Sequence, residues 1–344
     1  PSHANMLRRE SPTLTEDEKS ALLDEAPVTV ARLEQEIAKV IVGQREVIRH
    51  VMLALLVGGH SIVKGVPGLA KTLIIKTIAD AMDLSFKRIQ FTPDLMPSDI
   101  LGSEVIEEDH ATGRRVARFI RGPIFANIIL ADEVNRTPPK TQAALLEAMQ
   151  ERQVTIAGVR YDLDEPFFVL ATQNPIELEG TYALPEAQLD RFMLNIEVGY
   201  PNRDEEMAIL AQTTSAARAS VDRVIDAARV VAIQQVVREV PAATNIINYV
   251  ARLIRASRPD TEEALGFTNE WIKWGAGPRA GQAFLLCAKA RALLGGHYAV
   301  SFDDVRSIAR PVLKHRIIMN FHAEAEGITP DDAIDELLAR VPAQ

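Results

Sequence analysis

Residues 65–72 read GVPGLAKT, and the segments on either side make this octapeptide the most informative part of the chain. The tetrapeptide SIVK at 61–64 predicts a short strand before it, and the periodicity of 71–82 predicts a helix after it. In that setting the backbone N–H groups of a glycine-rich turn and the N-terminus of a helix converge on one anion. The stretch therefore predicts a phosphate-binding loop of the P-loop type.

Individual positions of this loop have separate roles. Gly65 and Gly68 let the backbone turn tightly, Lys71 can reach the β- and γ-phosphates of ATP, and the Thr72 hydroxyl can ligate Mg²⁺. Ala70 stands where the usual pattern has its second glycine, and we expect its methyl group to be tolerated at negative φ and otherwise to crowd the phosphate. The alternative interpretation is a Gly/Pro turn with an incidental lysine. The predicted nucleotide-binding positions are Gly65, Val66, Pro67, Gly68, Leu69, Ala70, Lys71 and Thr72.

Short apolar runs alternate with helical periodicity after residue 60. The continuous apolar run at 128–131 is typical of a strand that is buried on both faces of a sheet. Strands that alternate with helices favour an α/β domain, with a parallel sheet covered by helices on both sides. The predicted core strands are 61–64, 86–91, 128–131, 167–171 and 193–196.

Two acidic residues follow the apolar run at 128–131 directly. The run would place Asp132 at the carboxyl edge of the sheet, where it can serve the Mg²⁺ of the loop directly or through water. Glu133 would project onward and polarise an attacking water molecule. The alternative is a strand that simply ends in polar residues. The pair therefore predicts the hydrolytic carboxylates of an ATPase.

Polar residues elsewhere could complete such a site. Asn174 follows the strand at 167–171 and could orient the water or sense the γ-phosphate, although Asn-Pro could merely open a turn. Arg191 precedes the last strand and could reach the γ-phosphate of a neighbouring subunit. Arg279 begins a helix of the C-terminal half and could report whether phosphate is present. The alternative for both arginines is a solvated surface side chain.

The chain divides into three predicted parts. A polar leader precedes a nucleotide-binding core, and an all-helical lid follows at the point where the strand pattern disappears. Two hairpins are predicted as insertions in the core. Residues before Met6 are interpreted as a cloning remnant. The predicted segments are the leader at 1–29, the core at 30–201, its hairpins at 104–120 and 153–161, and the lid at 202–344.

Composition limits the class of protein. The 344 residues include 47% apolar ones and carry a formal net charge of −9, which argues against a broad nucleic-acid-binding surface. The single cysteine, Cys287, suits a reducing compartment and reads as a small buried apolar residue. No apolar run approaches the roughly 18 residues of a membrane span, and no signal core is evident. We therefore expect a cytoplasmic protein that is not inserted in a membrane.

With these motifs assembled, the sequence over 30–341 resembles the MoxR family of AAA+ ATPases. The resemblance goes beyond generic nucleotide motifs, and its most distinctive part is the run TYALPEAQLDRF at 181–192. Members of the family also carry alanine at position 70. The matching stretches are 41–44 (IVGQ), 65–72 (GVPGLAKT), 131–136 (ADEVNR), 145–149 (LLEAM), 171–175 (ATQNP) and 181–192.

The resemblance implies a parallel sheet in the order 5-1-4-3-2, a helical lid, and hexameric rings with ATP at the subunit boundaries. It leaves open whether Arg279 acts in cis or in trans, and it suggests only an interface role for Arg136. The hairpins would be the helix-2 insert and the pre-sensor-1 hairpin, which usually face a pore or a partner. Carried over by position, the site residues are Ile41, Val42 and Gln44 near the adenine, Lys71 and Thr72 in Walker A, Asp132 and Glu133 in Walker B, Asn174 as sensor 1, Arg191 as arginine finger and Arg279 as sensor 2.

The implied function is chaperone-like remodelling of a target protein complex, or insertion of its metal or cofactor, with a von Willebrand factor A-domain protein as partner. Two other functions remain open. A nucleic-acid motor of the same superfamily would need basic hairpins, but the first hairpin mixes arginines with acidic residues. A nucleotide-bound scaffold that never hydrolyses ATP is disfavoured by the intact Lys71, Glu133, Asn174 and Arg191.

Overall fold

The computed structural model describes residues 14–66, 68–108, 115–174, 181–215 and 219–344. The helices are α1 (Glu16–Ala38), α2 (Arg45–Leu56), α3 (Lys71–Ala81), α4 (Pro97–Leu101), α5 (Pro139–Glu151), α6 (Glu186–Leu189), α7 (Arg203–Thr213), α8 (Ala227–Glu239), α9 (Thr244–Ala256), α10 (Gly266–Trp271), α11 (Pro278–Leu294), α12 (Phe302–Ser307), α13 (Ala309–Leu313), α14 (Phe321–Ala325) and α15 (Pro330–Arg340). The strands are β1 (Ser61–Lys64), β2 (Phe86–Gln90), β3 (Gly102–Glu108), β4 (Arg115–Arg121), β5 (Ile128–Asp132), β6 (Gln153–Ile156), β7 (Val159–Asp162), β8 (Phe168–Gln173), β9 (Leu194–Glu197), β10 (Ile272–Trp274) and β11 (Ile318–Met319).

Five of these strands form one parallel sheet in the order β2-β5-β8-β1-β9. Counted among the core strands alone, this is the order 5-1-4-3-2, so the expected AAA+ sheet is confirmed. The strands end level with one another, since Gln90 pairs with Asp132 and Lys64 pairs with Gln173. Their carboxyl ends therefore meet at a single edge of the sheet.

The sheet separates two apolar layers. Side chains alternate between the faces of a strand, so Ile129 packs into one layer while Ile128 and Leu130 pack into the other. All three are fully buried, which explains the continuous apolar run that predicted a central strand. The layer containing Ile128 also holds the buried faces of α1 and α2 and the apolar side chains of the C-terminal half. Core and lid thus share one apolar interior.

Both predicted hairpins are present. The first is β3 with β4 and the second is β6 with β7, each antiparallel. They pack against each other through the rings of Phe119 and Tyr161, whose centroids lie 4.4 Å apart. The tip of the first hairpin lies outside the described residues. The two insertions therefore form one continuous feature on the core.

The N-terminal boundary differs from the predicted one. Residues 16–29 belong to α1 rather than to a leader, and residues 1–13 lie outside the described part of the chain. The helix starts with a capping box, in which Glu18 accepts from the backbone and side chain of Thr15, and most of its exposed residues are polar. An apolar stripe at helical spacing continues through the supposed leader and is buried: Leu22, Ala26, Val30, Leu33 and Ile37.

In the described residues after 202, helices are joined by one short ladder. Strands β10 and β11 pair antiparallel over two positions, Ile272 with Met319 and Trp274 with Ile318, which the all-helical prediction missed. Strands this short leave too few residues for an alternating pattern in the sequence. Cys287 is fully buried on α11, as expected, and burial raises the pKa of its thiol to about 12. Within the described ranges, every helix is too short or too polar to span a bilayer.

Candidate active site

The carboxyl edge of the sheet brings together the predicted phosphate loop, the acid pair and Asn174. The glycine-rich loop follows β1, Asp132 ends β5, and Asn174 follows β8 directly. These three strands are neighbours, so the loop, the acids and the amide face one cleft of about 440 Å³. The cleft is lined by Gly68, Leu69, Ala70, Lys71, Thr72, Leu73, Arg88, Asp132, Glu133 and Asn174.

The loop leads into α3 through an unusual backbone conformation. Ala70 has φ +53° and ψ 22°, in the left-handed region, so the expected requirement for negative φ is not met. Its carbonyl oxygen nevertheless accepts the first hydrogen bond of the helix, from Ile74 at 2.9 Å. Gly68 also has a positive φ, and among the described residues other than its chain neighbours no atom lies within 4 Å of the position that a Cβ would occupy there. Pro67 lies outside the described residues.

The Ala70→Gly substitution should raise the free energy of unfolding by roughly 0.5–1 kcal/mol. An L-residue in the left-handed region costs about 1–2 kcal/mol, which glycine avoids, and the greater entropy of glycine in the unfolded chain offsets part of this gain. Chemical denaturation measures the difference. The matched control is Ala143→Gly on the exposed face of α5, which should lose about 1 kcal/mol. Equal losses in the two variants would contradict the account of the loop.

The acid pair is held in place by one hydroxyl group. Thr172 on β8 donates through Oγ1 to Oδ1 of Asp132 at 2.6 Å, and the same Oγ1 accepts from the backbone N–H of Glu133 at 2.8 Å. Glu133 itself has φ +57°, so the backbone enters the left-handed region directly after β5. Thr172 was not predicted as a site residue.

Two side chains on β2 reach the same carboxylates. Arg88 donates to Oδ2 of Asp132 through Nε at 3.0 Å and through Nη2 at 2.6 Å. Gln90 donates through Nε2 to Oε2 of Glu133 at 2.9 Å, and Arg136 donates to the same oxygen at 3.1 Å. Arg136 therefore lies at the acid pair of its own chain. Neither β2 residue was predicted, because their role depends on the pairing of Gln90 with Asp132 across two strands.

The chemistry of the cleft fits a magnesium-bound nucleotide. Mg²⁺ prefers oxygen ligands and usually keeps phosphate and water oxygens in its shell, so the Thr72 hydroxyl and the Asp132 carboxylate are suitable protein contributions. Partial burial lowers the pKa of Lys71, whereas Asp132 and Glu133 oppose that shift. Lys71 donates to the carbonyl oxygen of Gly65 at 2.7 Å, so its ammonium group lies over the loop. A triphosphate there would stabilise the charged lysine.

The segment expected near the adenine lies beside the loop. Gln44 donates through Nε2 to the carbonyl oxygen of Gly199 at 3.0 Å. The preceding residue, Val198, adjoins Gly65 so closely that an added Cβ there would come within 2.8 Å of its carbonyl oxygen. Ile41 is buried and Val42 is partly exposed. These residues are therefore close to the loop and could line a base.

The two predicted arginines lie at the other end of the strands. The N–H of Met193 donates to the carbonyl oxygen of His60, so Arg191 is level with the amino end of β1. The phosphate loop follows the carboxyl end of this four-residue strand, which places Arg191 roughly 13 Å from the loop along the strand direction. Arg191 donates to the carbonyl oxygen of Leu146 at 3.3 Å. Nη1 of Arg279 lies 3.9 Å from Oδ2 of Asp190. Arg191 and Arg279 thus share one edge, away from the phosphate loop of their own chain.

A buried arginine joins core and lid beside them, and sequence reasoning missed it. Arg316 donates to Oδ1 of Asp190 at 2.7 Å and to the carbonyl oxygen of Phe192 at 2.7 Å, with only 3% of its side chain exposed. Burial lowers the pKa of Arg316, and the hydrogen bond that Arg316 donates to Asp190 opposes that shift. Asp190 is therefore shared by Arg316 and Arg279. The sequence around Arg316 contains no signal for this contact, which joins residues 126 positions apart.

The fold and the cleft define a class of protein, and comparison with known sequences agrees. The family described as "ATPase family associated with various cellular activities (AAA)" matches residues 60–194, and the AAA lid domain matches residues 267–337. A P-loop sheet in this strand order, with an acid pair beside the loop and a helical lid, is that of an AAA+ ATPase.

Relatives narrow the class to a family. The chain is 38% identical to Chaperone MoxR1 of Mycobacterium tuberculosis, over 91% of this chain and 82% of that protein. It is 31% identical to Protein MoxR of Paracoccus denitrificans, over 88% and 93% of the two chains. A solved structure of a candidate ATPase from Cytophaga hutchinsonii superimposes with a TM-score of 0.86 at 41% identity and covers 95% of this chain and 97% of that one. The chain belongs to the MoxR family of AAA+ ATPases.

Proposed function

We propose that this protein binds ATP with Mg²⁺ in the cleft at the carboxyl edge of the sheet and hydrolyses it. The observation that supports this is the convergence of the glycine-rich loop, Lys71 and the acid pair on a single cleft. When bound, Mg²⁺ would neutralise phosphate charge and hold the triphosphate for attack. Thr72 and Asp132 are the side chains that would hold it.

Three side chains of the cleft have further tasks in this reaction. Glu133 accepts a proton from the attacking water, and Gln90 and Arg136 hold its carboxylate by donating to Oε2. Asn174, buried at the end of β8, orients the water or senses the γ-phosphate. Lys71 stabilises the β- and γ-phosphates, since its ammonium group already lies over the loop. Phosphate release that requires both ATP and Mg²⁺ tests this assignment, and its absence would favour a non-hydrolysing scaffold.

The position of the arginines supports hydrolysis shared between subunits. Arg191 and Arg279 lie roughly one strand length from their own loop, so each would serve the γ-phosphate of a neighbouring chain. A head-to-tail contact of this kind forms a ring when the rotation between subunits closes, and the family resemblance favours a ring of six subunits. For Arg279 this argues for action in trans. Light scattering in the presence of ATP gives the number of subunits.

Lys71→Ala should weaken ATP binding by about 10- to 100-fold, because a charge-assisted hydrogen bond to phosphate contributes about 1.5–3 kcal/mol. Titration with a fluorescent ATP analogue measures the change. Lys76→Ala is the matched control, since Lys76 lies on the same helix, points to solvent and pairs with Asp80. Binding that is weakened equally in the two variants would contradict the assignment of Lys71.

The cellular role follows from the family rather than from the cleft. One relative is named as a chaperone, and we propose that ATP hydrolysis here drives remodelling or maturation of a target protein complex, including insertion of its metal or cofactor. A von Willebrand factor A-domain protein is the proposed partner. In the presence of ATP, the Glu133→Gln protein should retain the target complex and the von Willebrand factor A-domain partner in a pull-down. The Lys71→Ala protein should retain neither. Equal recovery with the two variants would count against ATP-dependent binding of a client.

A further inference from the structure

Arg88 neutralises the acid that the proposed function needs for magnesium. It lies on β2, the edge strand of the sheet, and places two N–H groups on one carboxylate oxygen, Oδ2 of Asp132. The other oxygen, Oδ1, accepts from Thr172. Both oxygens of Asp132 are therefore engaged by protein groups.

The two partners of this ion pair differ in exposure. The side chain of Asp132 is 14% exposed, whereas that of Arg88 is 48% exposed. A poorly hydrated carboxylate needs a compensating charge, and Arg88 supplies it at the mouth of the cleft. Because Arg88 is long and half-exposed, it can move into solvent without disturbing the sheet. Asp132 is held by Thr172 and stays where it is.

We propose that Arg88 is a positioning residue that occupies Oδ2 of Asp132 in the nucleotide-free chain and must release it before Asp132 can serve Mg²⁺. Arg88 thereby sets the magnesium concentration at which ATP binds. This inference rests on the proposed function, since it takes Asp132 to be a magnesium ligand.

Gln90 extends the effect to the second acid. Arg88 donates through Nη2 to Oε1 of Gln90 at 2.6 Å, and Nε2 of the same amide donates to Glu133. Arg88 and Gln90 are two residues apart on one strand, so they project from the same face. Withdrawal of Arg88 removes a partner of Gln90 and loosens its hold on Glu133. Arg136 still donates to the same oxygen of Glu133, so the catalytic base keeps this partner when Arg88 withdraws.

The test is a titration of Mg²⁺ at fixed protein and fluorescent ATP analogue, with the midpoint of binding as the readout. Arg88→Gln should lower the midpoint by about 3- to 10-fold, because the competing charge is gone. Arg88→Lys keeps the charge and should stay within about twofold of the parent chain. Arg310→Gln is the matched control, since it also removes one arginine from a carboxylate pair, with Asp335 in the lid. Its midpoint should not change.

Other results would overturn the inference. An unchanged or higher midpoint in Arg88→Gln shows that Arg88 does not compete with Mg²⁺. If Arg88→Gln binds the ATP analogue tenfold more weakly than the parent chain in EDTA, Arg88 contacts phosphate instead. If the parent chain shows no magnesium-dependent binding of the ATP analogue, the proposed function fails. If the parent chain shows such binding and Arg88→Gln has the same Mg²⁺ midpoint, only the role of Arg88 is refuted. Melting temperatures check that each variant is folded. A Mg²⁺ midpoint of Arg88→Lys as low as that of Arg88→Gln would exclude a role of the charge.

Discussion

Arg191→Ala chains should bind ATP normally and hydrolyse it about 10³- to 10⁵-fold more slowly. An arginine that stabilises the charge developing on a transferred phosphoryl group contributes an effect of this size. Arg191 is well placed for such a role only in a neighbouring subunit, because it is level with the amino end of β1 while the loop follows its carboxyl end. The loss should therefore appear in the turnover rate and leave nucleotide affinity unchanged.

Mixing experiments separate action in trans from action in cis. Arg191→Ala protein mixed with Glu133→Gln protein should recover part of the activity, since mixed interfaces contain one intact loop site facing one intact arginine. Arg223→Ala is the control for loss of an arginine, because Arg223 is exposed and pairs with Asp83. This variant should hydrolyse ATP at the parent rate without mixing. Absence of rescue in mixtures that do form rings would contradict the shared site.

Glu133→Gln should reduce hydrolysis by about 10²- to 10⁴-fold, the contribution of a positioned general base. Glutamine keeps the shape of the side chain and can still bond to Gln90 and Arg136 through its amide oxygen, so ATP binding should persist. Phosphate release and ATP affinity are measured together, with Glu147→Gln on the exposed side of α5 as control. A variant that still hydrolyses ATP at the parent rate would remove Glu133 from the mechanism.

Much of the core fold could be predicted because buried parallel strands carry a strong pattern. The runs at 128–131 and 167–171 are apolar throughout, as is typical of strands buried on both faces, and both are buried in the structure. The strand order came from family resemblance, since periodicity does not say which strands are neighbours. The first helix was missed over 16–29 because charged residues and Pro27 obscured a stripe of buried apolar residues. Helical spacing, rather than average polarity, was the informative signal there.

The candidate site was predictable where its residues are adjacent in sequence. The loop and the acid pair each lie within a few positions, so local motifs identified them. Arg88, Thr172 and Arg316 were not identified, because each acts on a residue from another strand or domain, and their partners follow from strand register and tertiary packing. The positive φ of Ala70 was also missed, since the sequence alone gives no backbone angle.

A cryo-EM structure of the Glu133→Gln protein with ATP and Mg²⁺ would test the central claim directly. We predict one nucleotide per chain in the cleft, with Lys71 at the phosphates, Thr72 and Asp132 at one magnesium ion, and Arg191 entering from the neighbouring subunit. Nucleotide bound at any other surface, or a filled cleft in which Asp132 stays paired with Arg88 and far from the metal, would contradict it.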